Sequence, residues 1–306
     1  DKLIGSQKPV LLWSAPGMHE DRENERMATT TSDASTGSAP VHVSHQSPVR
    51  RLELNRPDSR NPLDGPMVDA LSDAVAEASA EASVRVILIT GAGRAFSAGG
   101  NIGNISERLA VKAGADGRDP IAGGNRRYGR FLERFVSVPK ITVVAAAGAA
   151  MGGGAGLVAA ADLAIASSQA TFGFPETGIG LVPAQILPFV AARIGVQNAR
   201  RLMLTGERIS AAEAYRIGLI DYLVDDPAEW QLRIDSVCAS IVRGAPTALA
   251  TTKQMLRQGP GMDAWHGRSL EDYLDAAADT FARQMRSEAI EGVTAMREKR
   301  VPDWAR

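Results

Sequence analysis

The chain has 306 residues, of which 44% are hydrophobic and 23% charged, the balance of an ordinary globular protein with a sizeable core. Its 34 lysines and arginines nearly match its 35 aspartates and glutamates, and this formal net charge of −1 argues against nucleic acid or an anionic membrane as a partner. The single cysteine, Cys238, excludes an intrachain disulfide and a cysteine-based metal cluster. We therefore expect a cytoplasmic protein without a metal site.

The N-terminal stretch lacks the composition of a folded segment. Residues 28–39 are all Ala, Thr, Ser or Gly except Asp33. Such a segment cannot bury enough apolar surface to offset the entropy of ordering it. We predict a poorly ordered leader over residues 1–44, an α/β core over residues 45–245 and a helical region over residues 246–306.

The hydrophobic pattern beyond the leader is that of an α/β protein with buried strands. Near-continuous apolar runs such as residues 84–90 are typical of strands that are covered on both faces. The predicted elements are a strand at 49–55, a helix that begins at Asp64 and Pro66, strands at 84–90, 141–148, 163–166 and 170–174, helices at 186–203 and 210–217, and a nearly continuous helical pattern over 246–300.

The longest uncharged run, residues 141–161, is not typical of a membrane anchor. Nine of its residues are alanine and five are glycine, so it is small rather than strongly apolar. A strand, a turn and a buried helix account for it better than a membrane span does. We therefore predict no membrane contact.

Residues 105–130 interrupt the regular pattern with several glycines and arginines between two strong strands. Two interpretations stay open for this segment: a lid that faces a substrate, or a surface loop.

Two glycine-rich segments directly follow predicted strands, at residues 91–101 and 148–156. Glycine lets backbone approach a ligand closely, and a helix N-terminus directs unpaired N–H groups outward. Two such segments side by side could hold a developing anion in an oxyanion hole. Two other interpretations compete with this one: a weak dinucleotide-binding fingerprint at Gly154, Gly156 and Ala159, and glycines that merely allow tight helix–strand packing. A phosphate-binding Walker A loop is excluded, because the chain has no Gly-Lys pair.

Glu176 is the candidate acid/base, because it lies in a turn between Pro175 and Gly178 directly after a short predicted strand. Partial burial there would raise its pKa toward the range of a general acid/base. The alternative is a capping or surface glutamate. No histidine lies between residues 46 and 265, which disfavours a Ser-His-Asp enzyme.

Six segments in sequence order resemble the enoyl-CoA hydratase/isomerase (crotonase) superfamily, and they include the runs FSAGGN, MGGGAG and FPETGIG. The segments are 54–64, 84–102, 139–167, 170–183, 199–221 and 291–304. The resemblance implies a spiral of ββα units with a C-terminal helical oligomerisation region. It also implies an acyl-CoA thioester substrate, no separate cofactor, and a homotrimer or a dimer of trimers.

The resemblance also assigns catalytic roles to single residues. It implies that the Ala98 and Gly153 N–H groups form the oxyanion hole and that Glu176 is the acid/base. Hydratases of the family use a second glutamate three residues after the middle glycine of the GGG run, and that position is Gly156 here. The usual pair of glutamates around a water therefore cannot form.

Further residues are implied to bind the substrate. Arg56, Asn61, Gly99 and Gly152 would line the acyl-CoA cleft, and Lys299 would reach the CoA phosphates of a neighbouring subunit. The function expected from all of this is that of an enoyl-CoA hydratase or double-bond isomerase. Decarboxylation or carbon–carbon cleavage of an acyl-CoA, and acyl-CoA binding without catalysis, stay open as alternatives.

Overall fold

The computed structural model describes residues 39–100, 119–258, 283 and 287–306, and these form a mixed α/β fold. The strands are β1 (Val41–Gln46), β2 (Val49–Leu54), β3 (Val86–Gly91), β4 (Ala95–Ser97), β5 (Ile141–Ala146), β6 (Ala149–Met151), β7 (Leu163–Ser167), β8 (Thr171–Gly173), β9 (Arg208–Ser210) and β10 (Tyr222–Val224). The helices are α1 (Gly65–Ala80), α2 (Pro120–Ser137), α3 (Gly153–Ala160), α4 (Leu187–Thr205), α5 (Ala211–Arg216), α6 (Trp230–Val242), α7 (Pro246–Gln258) and α8 (Glu288–Glu298). Short 3-10 helices lie at Pro57–Ser59, Pro175–Ile179, Pro227–Glu229 and Asp303–Ala305.

The strands form two sheets, one of six strands in the order β1-β2-β3-β5-β7-β10 and one of four in the order β4-β6-β8-β9. All neighbours are parallel except the pairs β1–β2 and β8–β9. From β3 to β8 the chain alternates, giving one strand to the larger sheet and the next to the smaller one. This alternation confirms the predicted spiral, and it places the ends of the short strands β4, β6 and β8 beside one another.

Strand β3 shows why the central strands have continuous apolar runs. Ile87 and Ile89 point into the main core, whereas Val86 and Leu88 point into a second core on the other face. Helix α6 covers that second face, and Cys238 lies there as a buried thiol whose pKa burial raises to about 11. Both faces of the sheet are therefore shielded from water.

The uncharged run at residues 141–161 folds as β5, β6 and the buried helix α3, as the sequence predicts. Its small side chains let this helix pack closely against the end of β4, where a Cβ added at Gly154 would lie 2.8 Å from Ser97 Cβ. None of the helices in the described ranges is long and apolar enough to cross a membrane.

The sequence-based boundary at residue 44 needs correction, because it falls inside strand β1. This strand pairs with β2 over six residue pairs, from Val41 opposite Leu54 to Gln46 opposite Val49. Five of its six residues are exposed, so an edge strand of this kind carries little hydrophobic pattern. The remainder of the predicted leader, residues 1–38, lies outside the described residues.

The segment at residues 105–130 is also corrected in its second half, which belongs to helix α2. The Asp119 carboxylate caps this helix by accepting a hydrogen bond from Ile121 N at 2.8 Å. Phe131, Leu132 and Phe135 bury its inner face. Residues 105–118 lie outside the described residues.

The C-terminal region is helical at both described ends, in α7 and α8. The Glu288 carboxylate accepts hydrogen bonds from the Thr247 and Ala248 N–H groups at 2.9 Å each, which joins α8 to the first turn of α7. Residues 259–282 lie outside the described residues.

A buried ion pair fastens α7 to the larger sheet. Lys253, with 6% of its side chain exposed, lies 2.7 Å from Asp162 Oδ2 and donates to Lys140 O at 2.9 Å. The same carboxylate oxygen accepts from the backbone and side chain of Thr142, at the start of β5. Burial lowers the pKa of Lys253, and the Asp162 carboxylate opposes that effect.

We predict that Lys253→Met lowers the free energy of unfolding by about 3 kcal/mol, because it leaves a partly buried carboxylate without its cation. Denaturant unfolding followed by circular dichroism measures this change. The control is Arg216→Met, which removes an ion pair from an arginine that is 68% exposed and should change stability by less than about 1 kcal/mol. Equal losses in the two variants would contradict the assignment.

Candidate active site

The parallel pairing of β4 with β6 brings the two glycine-rich segments together. At Gly99 the backbone has φ +83, and a Cβ added there would lie 2.5 Å from Met151 O and 3.1 Å from Gly153 N. A side chain is therefore excluded by both conformation and space. At this point the two segments lie backbone against backbone.

The first segment is held in place by the turn at residues 60–63. Ala98 N donates to Arg60 O at 2.8 Å, and Leu63 N donates to Gly99 O at 2.8 Å. Gly99 N donates to Ser97 Oγ at 3.1 Å. The N–H groups of residues 98 and 99 are therefore both engaged.

The predicted role of Ala98 is corrected by this arrangement, because its N–H is committed to Arg60 O and cannot also serve a substrate. The next amide along the chain, Gly100 N, has no hydrogen-bond partner in the described part of the chain. Gly100 follows Gly99, where an added Cβ would lie 3.1 Å from Gly153 N. The geometry therefore makes Gly100 N the candidate donor from this segment.

The second segment ends in the N-terminus of helix α3. Gly152 has φ +50, its N–H donates to Gly173 O at 2.9 Å, and Gly153 is the first residue of the helix. The Gly153 N–H has no partner within the helix, and the helix adds a partial positive charge at this end. The role of the Gly153 N–H as a donor to an anion stays a prediction.

Glu176 lies directly beside the second segment. It follows β8 in the 3-10 helix Pro175–Ile179, and a Cβ added at Gly152 would lie 2.8 Å from its Oε1. Its Oε2 is buried and finds no hydrogen-bond partner among the described residues. Burial raises the pKa of Glu176, and its own backbone N–H opposes this only in part. A carboxyl group in this setting is suited to proton transfer.

Asn61 does not line a cleft, contrary to the prediction from the resemblance. It is fully buried, and its Oδ1 accepts from Arg56 N at 2.8 Å. Its Nδ2 lies 2.9 to 3.1 Å from the carbonyl oxygens of Ala92, Ala95 and Phe96. All polar atoms of its side chain are therefore hydrogen-bonded to the backbone at and before β4, and Asn61 stabilises the strand that leads into the first glycine segment.

Arg56 also has a structural partner. Its guanidinium donates to both oxygens of Asp64, at 3.0 and 2.7 Å, and Asp64 caps helix α1. Lys299 is exposed at the C-terminal end of α8 in a left-handed conformation, with φ +55. Substrate contacts for Arg56 and Lys299 stay predictions.

Tyr128 of helix α2 is a site residue that the sequence analysis missed. Its hydroxyl donates to Gly153 O at 2.6 Å, and its ring atom Cε1 would lie 3.4 Å from a Cβ added at Gly153. The signal was present, because Tyr128, Phe131, Leu132 and Phe135 have the i, i+3, i+4, i+7 spacing of a buried helix face.

No cluster of three or more His, Cys, Asp or Glu side chains that could hold a metal ion occurs within the described ranges. The polar groups on and beside the two glycine segments are the Gly100 and Gly153 amides, the Glu176 carboxylate and the Tyr128 phenol. Such a set can stabilise negative charge on an oxygen and move a proton nearby.

Comparisons with known proteins give one consistent family for this chain. The family model for enoyl-CoA hydratase/isomerase matches residues 44–306. An enoyl-CoA hydratase/isomerase structure from Marinobacter aquaeolei has a TM-score of 0.81 and 36% identity, with coverage of 87% of this chain and 99% of that one. Pseudomonas aeruginosa AtuE has a TM-score of 0.80 and 37% identity, with coverage of 87% and 100%.

A curated relative by sequence is the crotonyl-CoA hydratase of Syntrophomonas wolfei, which is 32% identical over 254 residues, 81% of this chain and 91% of that protein. The family match covers most of the chain, and the fold and sequence comparisons agree with it. This chain therefore belongs to the enoyl-CoA hydratase/isomerase family.

Proposed function

We propose that this enzyme holds the thioester oxygen of an enoyl-CoA between the N–H groups of Gly100 and Gly153 and moves protons with Glu176. The observation that carries the proposal is the close approach of the two glycine segments, with the half-buried Glu176 carboxylate beside them. Hydratase and isomerase chemistry both pass through the same thioester enolate.

The two amides supply the stabilisation that this chemistry needs. When water adds to the β carbon, or when a proton leaves the α carbon, negative charge develops on the thioester oxygen. An N–H donor aimed at that oxygen contributes about 2.7–4 kcal/mol of barrier lowering in enzymes where it has been removed. The N-terminus of α3 adds its partial positive charge at Gly153.

The site has room for only one of the two glutamates that the family's hydratases use. A Cβ added at Gly156 would lie 2.2 Å from Ile186 Cγ2 and 2.6 Å from Ile186 Cβ. Ile186 is buried at the start of helix α4, so it cannot swing aside at low cost. Residue 156 therefore stays without a side chain, and Glu176 is the carboxylate that we assign to proton transfer.

Other parts of the proposal depend on the family alone. They are CoA as part of the substrate with no separate cofactor, Arg56 and Lys299 as contacts to CoA, assembly as a trimer or a pair of trimers, and a cytoplasmic location. Lys299 is exposed and has no side-chain partner in the described ranges, which is compatible with a phosphate contact.

The activity is tested with 2-enoyl-CoA and 3-enoyl-CoA. Hydration removes the conjugated thioester absorbance of the first, whereas isomerisation creates that absorbance from the second. We expect Glu176→Gln to lower kcat by about 100- to 10,000-fold on the active substrate. Because kcat/KM needs the ionised carboxylate and burial raises its pKa, the acid limb of wild-type kcat/KM should lie above the ordinary 4.5.

The acid limb assigned to Glu176 should be absent from the residual activity of Glu176→Gln. The matched control is Glu77→Gln, an exposed glutamate on α1 far along the chain from the site, which should keep wild-type kinetics. Full activity in Glu176→Gln would refute the proposed role.

We predict that Gly156→Ala destabilises the protein by about 1–3 kcal/mol, because the new methyl group overlaps Ile186. Within a helix, glycine to alanine ordinarily stabilises by about 0.5–1 kcal/mol. In an Ile186→Gly background the overlap is gone, so the same Gly156→Ala change should become stabilising. Denaturant unfolding of the wild type, the two single variants and the double variant gives the coupling free energy between residues 156 and 186. If Gly156→Ala changes stability in the same direction in both backgrounds, the packing argument is wrong.

A further inference from the structure

We propose that the Tyr128 hydroxyl is the second group that holds the attacking water during hydration, across from Glu176. This inference rests on the proposed function and deepens it. It answers how a hydratase site can work with Gly156 in place of the second glutamate.

Tyr128 lies against the same two glycines as Glu176. A Cβ added at Gly153 would lie 3.4 Å from the Tyr128 ring, and one added at the preceding Gly152 would lie 2.8 Å from Glu176 Oε1. Burial raises the pKa of Tyr128, and the negative charge of the Glu176 carboxylate raises it further. The phenol therefore stays neutral, and the two groups flank the peptide that carries the Gly153 N–H.

The hydrogen bond that Tyr128 already makes decides what else it can do. Its one hydroxyl proton is donated to Gly153 O at 2.6 Å. A phenol oxygen also has lone pairs, so a hydroxyl fixed in this way can only accept further hydrogen bonds. Tyr128 Oη is thus an acceptor, as the missing carboxylate would have been.

Two neighbouring polar side chains have hydrogen bonds of their own. Gln185 Nε2 donates to Asn125 Oδ1 at 2.9 Å, and Gln185 Oε1 lies against Gly129 of helix α2, where an added Cβ would be 1.8 Å away. Ser97 Oγ donates to Asn61 O at 2.7 Å and accepts from Gly99 N. Ile186 fills the space beside Gly156. Tyr128 Oη, which is held by Gly153 O, is the acceptor that we assign to the attacking water.

Hydration can be written with these groups alone. The water oxygen forms a bond to the β carbon, the carbon–carbon π electrons move to the thioester oxygen, and the Gly100 and Gly153 N–H groups stabilise the enolate. Glu176 takes one water proton and delivers it to the α carbon as the enolate collapses. The other water hydrogen, which donates to Tyr128 Oη, stays on the product hydroxyl.

The test is Tyr128→Phe, which removes the hydroxyl and keeps the ring that stacks on Phe131 at a centroid distance of 6.0 Å. We expect kcat for hydration of a 2-enoyl-CoA to fall about tenfold with little change in KM, the scale of one lost hydrogen bond. Exchange of the α proton of a saturated acyl-CoA into deuterium oxide needs Glu176 and the enolate but no attacking water. That exchange should fall by less than about twofold.

The control is Tyr215→Phe, which removes the hydroxyl of a tyrosine on α5 that is 53% exposed, and it should leave both rates unchanged. Equal falls in hydration and exchange would show that Tyr128 only positions Gly153, and unchanged hydration would show that it does not hold water. Either result overturns the inference, as does a wild-type enzyme that exchanges the α proton without hydrating. Wild-type protein that does neither would instead refute the proposed function.

Discussion

The site depends on one close contact between backbones, where the Gly99 main chain lies against Met151 and Gly153. Any side chain at residue 99 would push the two segments apart. In the proposed mechanism, the amides of Gly100 and Gly153 would then no longer bind the same oxygen. The spiral of strands makes the contact possible, because β4 and β6 are neighbours in the smaller sheet. The buried Asn61 then fixes the chain around β4 from behind.

The second constraint is the packing of Ile186 against Gly156, at the position where the family's hydratases have a second glutamate. Ile186 occupies the space that a side chain at residue 156 would need, which leaves Glu176 as the assigned base. In the proposed site, Tyr128 on helix α2 supplies a polar group instead, and its hydroxyl is oriented by the hydrogen bond to Gly153 O. The Gly153 residue thus has two assigned parts: its carbonyl oxygen holds the Tyr128 hydroxyl, and its N–H is the proposed donor to the thioester oxygen.

The sequence predicts most of the central strands and helices and the family, because those depend on local patterns and motifs. The roles of Glu176 and Gly153 stay proposals. The sequence assigns the wrong first donor, since the bond from Ala98 N to Arg60 O joins residues far apart in sequence. It identifies Gly156 as a departure from the family's second glutamate. It cannot show that Ile186 packs there, because residues 156 and 186 are far apart in sequence. Strand β1 is missed because its exposed residues carry no pattern, and only its pairing with β2 defines it.

The proposed convergence of two amides on one thioester oxygen is tested most directly by infrared spectroscopy of a bound 2-enoyl-CoA labelled with ¹³C at the thioester carbonyl. Two N–H donors weaken the carbonyl bond, so the account predicts that its stretching frequency falls on binding relative to the same compound in water. A frequency that stays at its value in water, or rises as in an apolar solvent, would contradict the account.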